Sequence, residues 1–140
     1  MKILVIASLI AAASFSSVAA PKMYQDFTQV ERTQIDRDVN AGFSQYAGTQ
    51  INEVTTLQSM LLLNGIITVT SVVDPTYYGN TPLELRGIVQ DFASNQTNTV
   101  CTNPSLRGMI NVGIDYKYTY YTKNGTYIGE YSITRKDCKQ

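Results

Sequence analysis

The chain has 140 residues, 44% hydrophobic and 16% charged, with 11 basic side chains against 11 acidic ones and no histidine. This charge balance leaves no electrostatic footprint for nucleic acid or an anionic membrane surface. The missing histidine removes Ser–His and Cys–His nucleophilic catalysis, imidazole general-base chemistry and the usual zinc sites.

The amino end reads as an export leader. Lys2 supplies the positive charge, Ile3 to Ala13 forms an uncharged apolar run of 11 residues, and Ser17-Val18-Ala19 satisfies the small-x-small rule for a cut before Ala20. That run is well short of the ~20 residues that a spanning helix requires, and no cysteine follows the cut to accept a lipid. The expectation is a cleaved leader over residues 1–19, no membrane span after cleavage, and one domain over residues 20–140 with 10 basic and 11 acidic side chains. A domain of that length can bury a core of its own.

Helical spacing comes first in the mature chain. Phe27, Val30, Ile35, Val39, Phe43 and Tyr46 make one apolar stripe among charged neighbours. Thr28-Gln29-Val30-Glu31 has capping-box form, and Gly48 is a suitable stop. The period then changes. Two runs rich in Thr, Leu, Ile and Val, Glu53 to Leu63 and Ile66 to Val73, flank Asn64-Gly65 and predict a β-hairpin on a type I′ turn. This turn sets Leu62 opposite Ile67, Met60 opposite Val69 and Leu57 opposite Val72, and the apolar residues on both faces near the tip predict cover on two sides. Asp74-Pro75 ends the hairpin.

A second helix is expected from Thr81-Pro82-Leu83-Glu84, with Thr81 as cap, Pro82 in the first turn, and Leu85, Ile88, Val89 and Phe92 on its apolar face. The polar stretch Ser94 to Thr99 reads as a surface loop, and Asn103-Pro104 as the start of a short helix through Arg107 to Ile110 that stops near Gly113. A last hairpin turns at Asn124-Gly125 and pairs Tyr116 with Ile133, Tyr118 with Tyr131 and Tyr120 with Gly129. Ile114, Tyr116, Tyr118, Tyr120, Tyr131 and Ile133 then share a dry face, while Lys117, Thr119, Glu130 and Ser132 share a wet one.

Cys101 and Cys138 are the two cysteines. In an oxidising compartment such a pair bridges, and the expectation is a disulfide; the alternative is two buried free thiols. The spacing is too long for a CxxC redox pair, so the role is structural.

Tests for chemistry mostly fail. Asp36-Arg37-Asp38-Val39-Asn40 resembles the opening of a calcium loop, but Ala41 stands where glycine is needed and Ala47 where a bidentate Glu is needed. No glycine-rich phosphate loop is present. Asn95-Gln96-Thr97 and Asn124-Gly125-Thr126 fit the glycosylation sequon, and the turn already accounts for the second. Ten tyrosines without a tryptophan are the compositional oddity. Packing is the favoured reading of the 116/118/120/131 face, against a recognition surface. Tyr121 and Tyr127 stay open, and Tyr77-Tyr78, in the loop before the second helix, are the better candidates for an exposed contact.

The stretch from Cys101-Thr-Asn-Pro-Ser-Leu106-Arg107 through Gly113, Tyr116-Lys-Tyr118, Asn124-Gly125 and Asp137-Cys138 resembles a pattern in small exported bacterial proteins of unassigned role. The resemblance covers about a third of the mature chain. It implies a bacterial envelope setting, supports the Cys101–Cys138 bridge, and carries no activity with it.

The expected architecture is α+β: an antiparallel sheet from two β-hairpins, in helix–hairpin–helix–hairpin order, with two main helices packed on one face and one disulfide. The strands form either one sheet or two. The expected function is that of an exported module, periplasmic or secreted, that binds another protein without catalysis and without a cofactor: an immunity protein, an inhibitor or an envelope-assembly factor. The alternatives are a hydrolase using carboxylates alone, which needs two acids converging in a cleft, and a small-ligand carrier, which needs a cavity between sheet and helices.

Overall fold

The computed structural model describes residues 22–74 and 82–138, and the side chains of all of these except 82–85. The leader, the Tyr77-Tyr78 loop and the Thr81 cap lie outside the described residues. Helix α1 (Gln29–Phe43) is followed by the hairpin β1 (Thr55–Leu63) and β2 (Ile66–Val73), then helices α2 (Pro82–Thr102) and α3 (Pro104–Asn111), then the hairpin β3 (Asp115–Thr122) and β4 (Tyr127–Ile133). The four strands form one sheet in the order β1-β2-β3-β4. The class is α+β, with the element order read from the sequence.

Local chemistry places these elements. Thr28 accepts from the Glu31 N–H at 3.2 Å while the Glu31 carboxylate accepts from the Thr28 N–H at 2.7 Å, a complete capping box. Asn64 (φ 52°) and Gly65 (φ 78°) take the two left-handed positions of the first turn. Asn103 caps α3 by accepting from the Ser105 and Leu106 N–H groups, and Gly113 at φ +87° turns the chain into β3.

Both hairpins are antiparallel, with Leu62 opposite Ile67, Met60 opposite Val69, Tyr118 opposite Tyr131 and Tyr120 opposite Gly129. Leu57 pairs with Ser71, one residue from the expected Val72, because the register shifts between Leu57 and Ser59. The larger difference lies at the seam. Strands β2 and β3 run parallel, from Ile66 opposite Asp115 to Val73 opposite Thr122. The expectation of a wholly antiparallel sheet is corrected there: parallel strands need a long crossover, and the connection, which carries two helices, supplies one. The parallel register keeps Ile67, Val69 and Ser71 level with Tyr116, Tyr118 and Tyr120, so the buried faces of the two hairpins merge.

Three further expectations are corrected. Ser94 to Thr99 is not a loop but the continuation of α2, where Thr97, Thr99 and Thr102 donate to the carbonyls of Ala93, Asn95 and Asn98. Val30 does not join the apolar stripe and is 80% exposed. The tip of the first hairpin is covered on one face only, since Leu61, Leu63 and Ile66 are exposed on the other.

One continuous core joins Val39 and Phe43 of α1, Leu57 and Leu62 of β1, Val89 and Val100 of α2, Met109 and Ile110 of α3, and Tyr116, Tyr118 and Tyr120 of β3. The Cys101–Cys138 disulfide is formed, with Cα atoms 5.1 Å apart, and fastens the last turn of α2 to the chain beyond β4.

Candidate binding cleft

Helix α2 does not lie flush on the sheet. Between its polar stripe and the buried face of the strands is a cleft of about 540 Å³, within the size range of ligand and segment sites. Its wall is built by Phe92, Asn95, Gln96 and Thr99 of α2, continued by Asn103 and Leu106. Its floor comes from Tyr116, Tyr118 and Tyr120 of β3, Val69 and Ser71 of β2, and Thr55, Leu57 and Met60 of β1, and Ile51 and Asn52 form a lip. None of these lining residues is charged.

The polar stretch misread as a loop thus has a positional reason. On a helix, 95, 96 and 99 fall on one side, and here that side faces the cleft. Spacing alone could have shown the stripe, but only the parallel seam sets the β3 tyrosines opposite it.

The tyrosines are packed and satisfied. Tyr118 and Tyr131 rings stack at 5.1 Å between centroids, Tyr120 and Tyr131 at 5.8 Å, and Phe92 tilts against Tyr120 at 5.5 Å. Tyr116 Oη donates to the Leu106 carbonyl at 3.1 Å, Gln96 Nε2 donates to Tyr118 Oη at 3.0 Å, and the Tyr120 and Tyr131 hydroxyls share a hydrogen bond at 2.8 Å. Burial pushes all four hydroxyls above the ordinary tyrosine value, so they stay neutral at physiological pH and serve as a rigid, weakly polar floor.

Thr55 differs from its neighbours. Its N–H donates to Asn52 Oδ1 at 2.8 Å and its carbonyl accepts from the Ile51 N–H at 2.8 Å, so its backbone is fully engaged. The residue is 3% exposed, and Oγ1 has no hydrogen-bond partner among the described residues. Buried hydroxyls in folded proteins nearly always find a partner.

Of the tyrosines singled out in the sequence, Tyr77 and Tyr78 lie outside the described residues. Tyr121 and Tyr127 meet edge to face at 5.8 Å near the turn of the second hairpin, apart from the cleft. Among the described residues no acidic side chain lines the cleft. Asp115, raised above its usual carboxylate value first by burial and then by Asp137, begins β3 outside it. Among the described residues no group of three acidic or cysteine side chains could hold a metal ion, and no helix is long and apolar enough to cross a membrane.

No protein-family model matches the chain, and no curated protein sequence matches it. Solved structures do. A Pseudomonas aeruginosa protein described as secreted superposes with a TM-score of 0.65 at 16% identity, covering 79% of this chain and 95% of that one. The pilotin EpsS of the Vibrio vulnificus type 2 secretion system gives 0.60 at 16% identity, covering 81% and 99%. The pilotin AspS of the Vibrio cholerae type II secretion system gives 0.60 at 12% identity, covering 79% and 94%. At such identities the likeness establishes a shared fold.

Proposed function

We propose that this chain is an exported, non-catalytic binding protein of the bacterial envelope, and that a segment of a partner protein occupies the cleft between α2 and the sheet. The observation that carries this reading is the cleft itself: open, aromatic-floored, and lined by no charged residue among those described. Such a surface favours burial of an apolar segment and offers no acid, base or nucleophile pair for chemistry. Two of the similar folds are pilotins of type II secretion systems, which supports an envelope-assembly factor over an immunity protein or an inhibitor. The leader expected over residues 1–19 supports export.

The test is affinity capture from native envelope extracts with the oxidised mature protein, beside a Thr99→Trp variant. Thr99 is exposed at the mouth of the cleft, so a tryptophan there blocks entry without touching the core. One stoichiometric partner, held by the native chain and lost from the variant, is the expected result. Equal capture by both would move the binding face away from the cleft.

A further inference from the structure

Two amide side chains of the cleft cannot turn over. Asn52 Oδ1 accepts from the Val54 and Thr55 N–H groups at 2.9 and 2.8 Å, and Asn103 Oδ1 accepts from the Ser105 and Leu106 N–H groups at 3.0 and 3.2 Å. A backbone N–H can only donate, so each amide is fixed with its oxygen turned to its own chain. The group that each can still offer is Nδ2, a donor. Both residues line the cleft, Asn52 on its lip and Asn103 at the end of its wall, and both are open to solvent, Asn52 exposed and Asn103 half-buried. Gln96 differs. Its partner is the Tyr118 hydroxyl, which serves as donor or acceptor, so this amide can present either end.

The locked donors restrict what enters. Water takes them in the free chain, and a carbonyl that replaces the water gains little. An occupant without an acceptor strips the water and returns nothing, which costs about tenfold in affinity at each donor. The apolar floor therefore supplies the affinity, and the two amides supply the selection. An apolar protein segment carries carbonyl oxygens in its main chain alone. Inside a helix these are already bonded, whereas an extended segment leaves them open. Resting on the reading of the cleft as the partner-binding face, we infer that the partner segment enters it extended, with main-chain carbonyls that accept from Asn52 Nδ2 and Asn103 Nδ2, and that these two residues select for it.

Aspartate isolates the selecting role, since it keeps the capping oxygen and replaces the donor by a second acceptor. The mature oxidised protein, labelled with nitrogen-15, is titrated with acetyl-Val-Thr-Val-Thr-Val-amide, a peptide too short for a helix. N,N-dimethyldecanamide and decylamine are titrated beside it; they share an apolar chain, and one brings only an acceptor while the other brings only donors. The side-chain NH2 signals of Asn52 and Asn103 are expected to move saturably with the peptide and with dimethyldecanamide, and decylamine to bind at least about tenfold less well. Asn52→Asp and Asn103→Asp are each expected to weaken the peptide and dimethyldecanamide by about tenfold and to tighten decylamine, with melting midpoints held within about 2 °C. A merely capping role would leave all three affinities unchanged.

Unmoved Asn52 and Asn103 signals while the floor tyrosines respond, native affinities in both Asp variants, decylamine binding as tight as that of dimethyldecanamide, or binding of dimethyldecanamide without the peptide would each overturn the inference. If an Asp variant fails to fold, the signals of the native chain decide. Failure of every probe to bind, with partner capture still lost in Thr99→Trp, would overturn it and leave the proposed function standing.

Discussion

The side-chain amide of Asn40 pairs in both directions with the backbone of Leu62: Nδ2 donates to the Leu62 carbonyl at 2.9 Å, and Oδ1 accepts from its N–H at 2.6 Å. Strand β1 is an outer strand of the sheet, and an uncovered edge invites pairing with another chain. One amide from α1 thus does what an added strand would do. Further along the same edge, Gly48 donates to the Leu57 carbonyl and Leu57 donates to the Thr49 carbonyl, each at 2.8 Å.

Asn40→Ala is expected to cost about 2 kcal/mol in urea denaturation, since it leaves two backbone groups of Leu62 without partners. Asn40→Asp keeps the acceptor but sets a carboxylate against the Leu62 carbonyl, so it should cost at least as much. A cost near zero for both would mean that water replaces the amide fully.

The disulfide closes 37 residues of sequence separation, which the chain-entropy model values at roughly 4 kcal/mol as an upper figure. Arg107 Nη1 also donates to the Cys101 carbonyl at 3.0 Å, so the end of α2 is held twice. The double substitution Cys101→Ser, Cys138→Ser is expected to lower the melting midpoint by on the order of 10 °C. It should weaken occupancy of the cleft in parallel, because α2 is its wall. A stable double variant with undiminished binding would show that packing alone sets the wall.

Alkaline pH should unfold the domain cooperatively. Burial, reinforced by the Asp36 hydrogen bond, pushes Tyr24 from 10.0 up to about 12, and burial raises Tyr116, Tyr118, Tyr120 and Tyr131 as well. The folded state holds these protons where the unfolded chain releases them. Their contribution is therefore fully present below pH about 10 and is lost as pH rises through the folded values. Tyrosinate absorbance from these five residues should appear together with loss of the far-ultraviolet dichroism. Ionisation of all five with the dichroism intact would contradict their burial.

Gly129 marks a close approach of α2 to β4: a Cβ there would sit 3.3 Å from Val89 Cγ1. Gly129→Ala is expected to destabilise by about 1 kcal/mol through that contact. Val89→Ala should cost about as much alone, yet the two together less than their sum, because the second removes the atom that the first strikes. Simple additivity in urea melts would place the strain elsewhere.

The first hairpin was legible because Asn64-Gly65 fixes a local register, which carried Leu62 to Ile67 without further information; Tyr118 meets Tyr131 as expected although the second turn is not of the expected two-residue type, since only Gly125 there has positive φ and the register shifts between Tyr120 and Tyr121. The parallel seam was not, since no local chemistry tells Val69 to pair with Tyr118. The bulge near Gln58 left no signal either. The carboxyl-terminal half of α2 failed for a better reason: Asn95, Gln96 and Thr99 are polar because they face a cleft, and polarity without context reads as a loop. Thr55 was invisible for the same cause, being one Thr among several until its burial and missing partner were known.

The parallel seam also sets a timetable. Each hairpin can close on its own neighbours, but the seam joins strands on either side of two helices, and such distant pairings form late. For a chain that emerges amino end first, the floor of the cleft is incomplete until β3 has followed both helices, and its wall is not tied down until Cys138 meets Cys101. Under the proposed function, only the finished molecule offers a partner its binding face.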